Sequence, residues 1–214
     1  MKVKNLINIT TAISTIFLLI SCAEKEINLD RDNLKLVNRE IVTTDEKEVN
    51  TVALNAKGGD GFAVIKNINF DIGTITLELK GENNPGKSFI GIAFNIRNDS
   101  TYEAVYFRPF NFRADDLVSR EHSVQYISPP RHTWKSLRTD HEGEYEAAYL
   151  NPPSPDEWFG IRVKIDSSNV YVYDKESGTA ILNVNRLEKQ VSNKIGLWTG
   201  NNSKGVFKNM RILK

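Results

Sequence analysis

The sequence predicts an all-β fold built as an antiparallel sandwich or barrel, and three observations carry that reading. Short runs, apolar or alternating, recur along the chain and are separated by Gly, Asn, Asp and Pro. Beyond the first 21 residues no segment sustains a helical period. Turn residues in hairpin-length groups stand between neighbouring runs.

The chain opens with a segment of another kind. Lys2 and Lys4 precede a largely apolar stretch over 6–20, which Asn8, Thr10, Thr11, Ser14 and Thr15 dilute. It falls short of the roughly 20 residues that a spanning helix needs. Leu19-Ile20-Ser21-Cys22 has the form of a lipobox, so 1–21 is expected to be a lipoprotein signal peptide. Cys22, the single cysteine of the chain, is then the lipidation site and the membrane a partner through that anchor. The expected location is the bacterial cell envelope, periplasmic or at the surface. Residues 22–33 are charged and lack an apolar period, which suits a tether, and 34–214 reads as one domain.

Within that domain the expected strands follow in order at 49–54, 62–65, 74–79, 89–96, 102–107 and 123–127. After an interruption come 159–165, 170–173, 181–184, 195–198 and 206–213. Asp166-Ser167-Ser168-Asn169, Lys175-Glu176-Ser177-Gly178 and the segment 200–205 supply turns between the later pairs. The interruption, 129–158, carries Pro129, Pro130, Pro152, Pro153 and Pro155 and has no strand period. An ordered insertion of that length serves as a lid, a binding loop or extra packing.

The 28 basic and 27 acidic residues leave a formal charge of +1, which gives no reason to expect nucleic acid as a partner. Recognition has to be local, and strand alternation indicates where. In 89–97, Ile90, Ile92, Phe94 and Ile96 form one side and Gly91, Ala93, Asn95 and Arg97 the other. Val105 and Phe107 match the apolar side, which sets Tyr106 and Arg108 opposite; Val124 and Tyr126 likewise set Ser123 and Gln125 opposite. Neighbouring strands would then share a polar and aromatic face bearing Asn95, Arg97, Tyr106, Arg108 and Gln125, with room above Gly91 and Ala93. Planar donors, amides and rings around an open floor suit a sugar, whose hydroxyls take hydrogen bonds while its C–H faces stack on rings. Trp134, Arg138 and His141 on the insertion would wall that groove, whereas Trp158 and Trp198 lie in strand context and are expected in the core.

Catalytic constellations are harder to find. Hydrolysis of a glycosidic bond needs two carboxyl groups flanking it. Glu142, Glu144 and Glu146 alternate, but in a Gly- and Pro-bounded loop, so a solvated acidic segment is the plainer account; Glu121, Glu142 and Glu144 are the catalytic candidates. His122, His132 and His141 have no metal-ligand spacing, and neither a calcium loop nor a phosphate-cradling Gly loop is present, so no metal and no cofactor are expected.

The segments LKLVNREI, GTITLELKG, SFIGIAFNIRND, YEAVYFRPFNF, HSVQYISPP, DEWFGIRVKI and KIGLWTGNNSKGVFKNMRIL resemble domains of the concanavalin A-like lectin/glucanase superfamily. The resemblance spans 34–214 and is greatest to laminin-G-like members and to the 3-keto-disaccharide hydrolases once likened to family 16 glycoside hydrolases. It implies a jelly-roll sandwich of two curved antiparallel sheets with any ligand on the concave face. The alternating acidic strand motif of family 16 glucanases is missing, and Ser123 stands where the keto-disaccharide hydrolase-like domains commonly carry an acidic residue. Three readings follow: a tethered carbohydrate-binding or glycan-handling lipoprotein, a glycoside or keto-sugar hydrolase, and an envelope module with a protein partner.

Overall fold

A computed structural model describes residues 24–44, 49–175 and 177–214. Among the described residues, fifteen strands form two antiparallel sheets packed face to face. In chain order they are β1 (Glu24–Glu26), β2 (Leu34–Val37), β3 (Ile41–Val42), β4 (Thr51–Leu54), β5 (Gly61–Ile65), β6 (Gly73–Lys80), β7 (Ile90–Asn98) and β8 (Thr101–Phe107). Then follow β9 (Val124–Ile127), β10 (Glu146–Ala147), β11 (Phe159–Ile165), β12 (Asn169–Asp174), β13 (Ala180–Asn185), β14 (Gly196–Thr199) and β15 (Gly205–Leu213). One sheet runs β13-β12-β11-β6-β15-β4-β3, with β1 also on β15; the other runs β10-β9-β8-β7-β14-β5-β2.

All eleven expected strands form, with boundaries shifted by a few residues. The four additional strands are short. β3 and β10 have two residues each, too few to show alternation, and the sequence Glu-Lys-Glu of β1 has no apolar member. Two helices of under two turns, α1 (Leu117–Glu121) and α2 (Trp134–Asp140), are equally short for a period to register. Their caps are nonetheless visible in sequence: Asp116 accepts from the backbone N–H of Ser119 at 2.7 Å and Thr133 from that of Ser136 at 3.2 Å. The insertion over 129–158 is thus ordered as α2, held by buried Leu137, and then as the edge strand β10. Beyond it, Tyr149 joins the rings of Phe107, Phe112 and Phe159 between the sheets, at centroid separations of 5.0–6.2 Å.

The expected tether corrects to something else. β1 pairs with the end of β15, Glu24 opposite Leu213, and Ile27 and Leu29 are buried in the core. A charged strand can pair because ladder bonds come from the backbone, and both side chains of the Ile27 and Leu29 pair then bury apolar area. The domain therefore reaches back at least to Glu24, and Cys22 lies outside the described residues. A fragment of residues 30–214 is expected to be about 1–3 kcal/mol less stable than one of 23–214, because lost burial exceeds the entropy regained by the released segment. Urea midpoints of the two fragments measure the difference.

Between the sheets lies one charged network. Glu103 faces inward beside Val105 and Phe107, and Arg186, just after β13, meets it from the other sheet at 2.6 and 3.3 Å. Both side chains are almost fully buried. The Tyr126 hydroxyl also donates to Glu103, and the Asn95 amide donates to it at 2.6 Å. Burial and the Glu103 carboxylate together push the Tyr126 hydroxyl far above the ordinary tyrosine range.

Candidate binding cleft

Register builds the site from a single cross-strand row. Glu146, Gln125, Tyr106, Gly91, Trp198, Phe62 and Val37 are successive partners across all seven strands of the second sheet. Since Ile90, Ile92, Val105 and Phe107 face the other sheet, this row lies on the outer face. Gly91 is required at its centre: a Cβ there would stand 2.0 Å from the carbonyl oxygen of Val105 and 2.6 Å from the Cα of Tyr106. With no side chain at Gly91, the flanking Tyr106 and Trp198 rings meet at a centroid separation of 4.9 Å.

Over this floor opens a cleft of about 450 Å3. Ile127 extends the floor; Phe89 and Phe110 form one wall, Trp134 and Arg138 of α2 line it as well, and Asp60, Gly200 and Asn201 complete the rim. Phe89 meets Phe110 and Tyr106 edge to face at 5.6 and 6.0 Å. Rim loops are fixed from beneath by Arg39, a buried residue whose guanidinium donates to the carbonyls of Gly59, Thr199 and Gly200, each at 2.8 Å, and to the Thr199 hydroxyl at 2.6 Å. Asp60 accepts from the Tyr102 hydroxyl at 2.8 Å, and that oxygen in turn accepts from the Trp198 indole at 3.2 Å.

Arg108, two residues beyond Tyr106, lies on the same outer face and lines the cleft with only 6% exposure. It donates to the Tyr106 hydroxyl at 2.7 Å, to Oε1 of Gln125 at 2.9 Å and to the carbonyl of His122 at 2.7 Å. These bonds use three of its five N–H hydrogens. Its guanidinium carbon sits 4.9 Å from the Tyr106 centroid and 5.9 Å from that of Phe89. Burial lowers the guanidinium's affinity for its proton and pushes the Tyr106 hydroxyl up to about 12, so the hydroxyl is neutral. Behind α2, Glu146 takes a two-pronged ion pair from Arg138 at 2.9 and 2.6 Å. His122 approaches the same carboxylate at 2.9 Å without a well-aligned hydrogen bond, and burial holds its pKa below the ordinary histidine value.

The expected site residues divide accordingly. Tyr106, Arg108, Trp134 and Arg138 come together in the cleft. Gln125 is completely buried and supports Arg108 from below. Asn95 must be corrected: its φ of +49° lies in the left-handed region, which Asn tolerates, and the β7–β8 register shifts just there. The bulge turns the side chain away from the outer face to Glu103 and to the backbone N–H groups of Val191 and Ser192. Arg97, past the same bulge, is exposed and pairs with Glu188, and His141 is exposed and pairs with Glu144; neither lines the cleft. Trp198 is buried, as expected, and its ring also borders the cleft from below. Trp158 is half-buried with the Lys208 ammonium 4.2 Å from its ring centre.

The catalytic candidates do not converge. Glu121 borders a separate hollow with Arg113 and Arg120, and Glu142 and Glu144 are exposed on the turn after α2. Among the described residues lining the cleft, Asp60 is the one carboxylate. Asp60, Phe89, Phe110, His122 and Trp198 entered the site without being expected there. The signal that could have shown Trp198 was its place opposite Gly91, which only the register reveals.

Distant solved structures share this architecture. The carbohydrate-binding module CBM66 from Bacillus subtilis superposes with a TM-score of 0.58 at 12% identity, over 83% of this chain and 93% of that one. Domain 4 of AbnA, a GH43 extracellular arabinanase from Geobacillus stearothermophilus solved with arabinotriose, gives 0.51 at 13% identity over 90% and 91%. A Bacillus licheniformis beta-glucanase gives 0.54 at 10% identity over 91% and 99%. The fold is a concanavalin A-like jelly roll. At such identities the likeness concerns the jelly roll alone. No family model matches the chain, and no curated protein sequence aligns with it.

Proposed function

We propose that this protein is an extracytoplasmic lipoprotein that binds carbohydrate, held to a membrane through an acylated Cys22. The observation that carries the reading is the aromatic floor of Tyr106 and Trp198 beside the recessed donor Arg108, in a cleft large enough for a small saccharide. Rings take the C–H faces of a sugar, and Arg108, Asn111 and Asn201 offer hydrogen bonds to its hydroxyls. The jelly roll occurs in a carbohydrate-binding module and in a domain solved with arabinotriose, which supports the same use here. Binding without cleavage is favoured over hydrolysis because Glu146 is engaged by Arg138 and a second free carboxyl group opposite Asp60 is not among the described lining residues.

The anchoring half of the proposal draws support from the strand geometry. β15 runs roughly 25 Å from Gly205, near the cleft rim, to Leu213, where β1 attaches. An acyl group two residues before Glu24 would hold the far end of the sandwich against the bilayer and leave the cleft facing outward. Metabolic acyl labelling tests this: the wild type is expected to incorporate label and Cys22→Ala to lose it. Calorimetric titration of the full chain in detergent with a broad glycan panel tests the binding. Trp198→Ala is expected to weaken any saccharide about tenfold, near 1.4 kcal/mol, through loss of stacking. A panel without heat, or a protein partner captured by the same face instead, contradicts the carbohydrate reading.

A further inference from the structure

We propose that the sugar this cleft accepts is acidic, carrying a carboxylate that seats on Arg108. The inference rests on the carbohydrate reading and on a count of charges around the cleft. Among the described residues, Arg108, Arg138 and Asp60 line it, and Arg39 and Glu146 stand behind them. Arg138 is matched by Glu146 in a two-pronged pair. Arg39 is buried in the rim, and Asp60 is the carboxylate that stabilises its charge. Burial lowers the pKa of His122, which favours its neutral form. Arg108 is left over: its three hydrogen bonds go to a phenol, an amide and a backbone carbonyl, none of them charged.

A guanidinium that is 94% buried without a carboxylate on it is costly, because burial removes its hydration and neutral acceptors restore only part of the loss. Tyr106 and Phe89 offer ring faces and edges at 4.9 and 5.9 Å, a weak compensation that leaves the net charge in place. A bound carboxylate would neutralise it and accept one charge-assisted hydrogen bond from an N–H that the three internal bonds leave over. Arg108 is thereby a specificity-determining residue, selecting uronic acids over the neutral sugars of the same shape.

The test compares oligogalacturonate and oligoglucuronate with their carboxyl-reduced counterparts, in which each carboxylate has become a CH2OH group. Titrations use the full chain in detergent. The acidic form of at least one pair is expected to bind tenfold or more tightly than its reduced partner. Arg108→Met is expected to abolish that preference, while Arg108→Lys, which keeps the charge without the fork, retains part of it; thermal melting of both variants reports whether they fold. If Arg108→Met does not fold, the wild-type ratio and Arg108→Lys still decide. Equal binding of acidic and reduced forms overturns the proposal and leaves the carbohydrate reading standing, as does a preference that survives in Arg108→Met. Failure to bind any member of the glycan panel overturns both.

Discussion

Replacing Arg186 by methionine is expected to destabilise the domain by about 3–5 kcal/mol, because it strands the Glu103 carboxylate between the sheets. Glu103 then keeps the Tyr126 hydroxyl and the Asn95 amide as donors, with 1% side-chain exposure. Asn95 also ties the segment 189–192 to β7, so loosening Glu103 loosens that connection. Urea unfolding of the wild type, of Arg186→Met, of Glu103→Gln and of the double variant closes a thermodynamic cycle. The double variant is expected to be clearly less damaged than the sum of the two singles, since a neutral amide tolerates burial better than a lone charge. Additive losses would mean that the two side chains act independently.

Gly91→Ala should be the most damaging single methyl group on the outer face. Its Cβ would lie 2.0 Å from a backbone carbonyl oxygen, which cannot rotate aside as a side-chain end could, so β7 and β8 must separate locally. A loss of about 2–3 kcal/mol is expected from overpacking of this kind. Moving β8 also displaces Tyr106 and with it Arg108, so saccharide affinity is expected to fall at least tenfold in the variant that remains folded. Chemical unfolding gives the first quantity and titration calorimetry the second. A stable Gly91→Ala that binds normally would show that the Tyr106 and Trp198 floor is not under the constraint described.

The fold was legible because period-two alternation and turn residues act locally. Eleven strands from β4 to β15 follow from apolar spacing alone, as in Ile90, Ile92 and Phe94 on β7. The site was legible only as far as the alternation held. Tyr106 and Arg108 share a face two residues apart, and their partnership with Gln125 follows from that. Asn95 failed because a bulge reverses side-chain direction, and nothing in a run such as Phe-Asn-Ile announces one except that Asn is among the few residues that accept positive φ. Trp198 is buried as expected, but its place under the cleft was not legible: an aromatic in an apolar strand can face either sheet surface, and the choice depends on Gly91 and Phe62 across the ladder. The Arg39 clamp joins residues 160 positions apart, and the Glu146 pair, though only eight residues long, runs from a helix to an edge strand, so no strand or helix period carries either.

The indole N–H resonances of the three tryptophans offer the most direct test of where a saccharide sits. Trp198 forms the cleft floor and Trp134 lines the cleft, whereas Trp158 lies under Lys208 outside it. Titrating the nitrogen-15-labelled protein with the tightest-binding oligosaccharide of the glycan panel is expected to shift the Trp198 and Trp134 signals and leave Trp158 unmoved. Saturating sugar that moves Trp158 while Trp198 stays fixed would contradict the assignment of this cleft as the binding site.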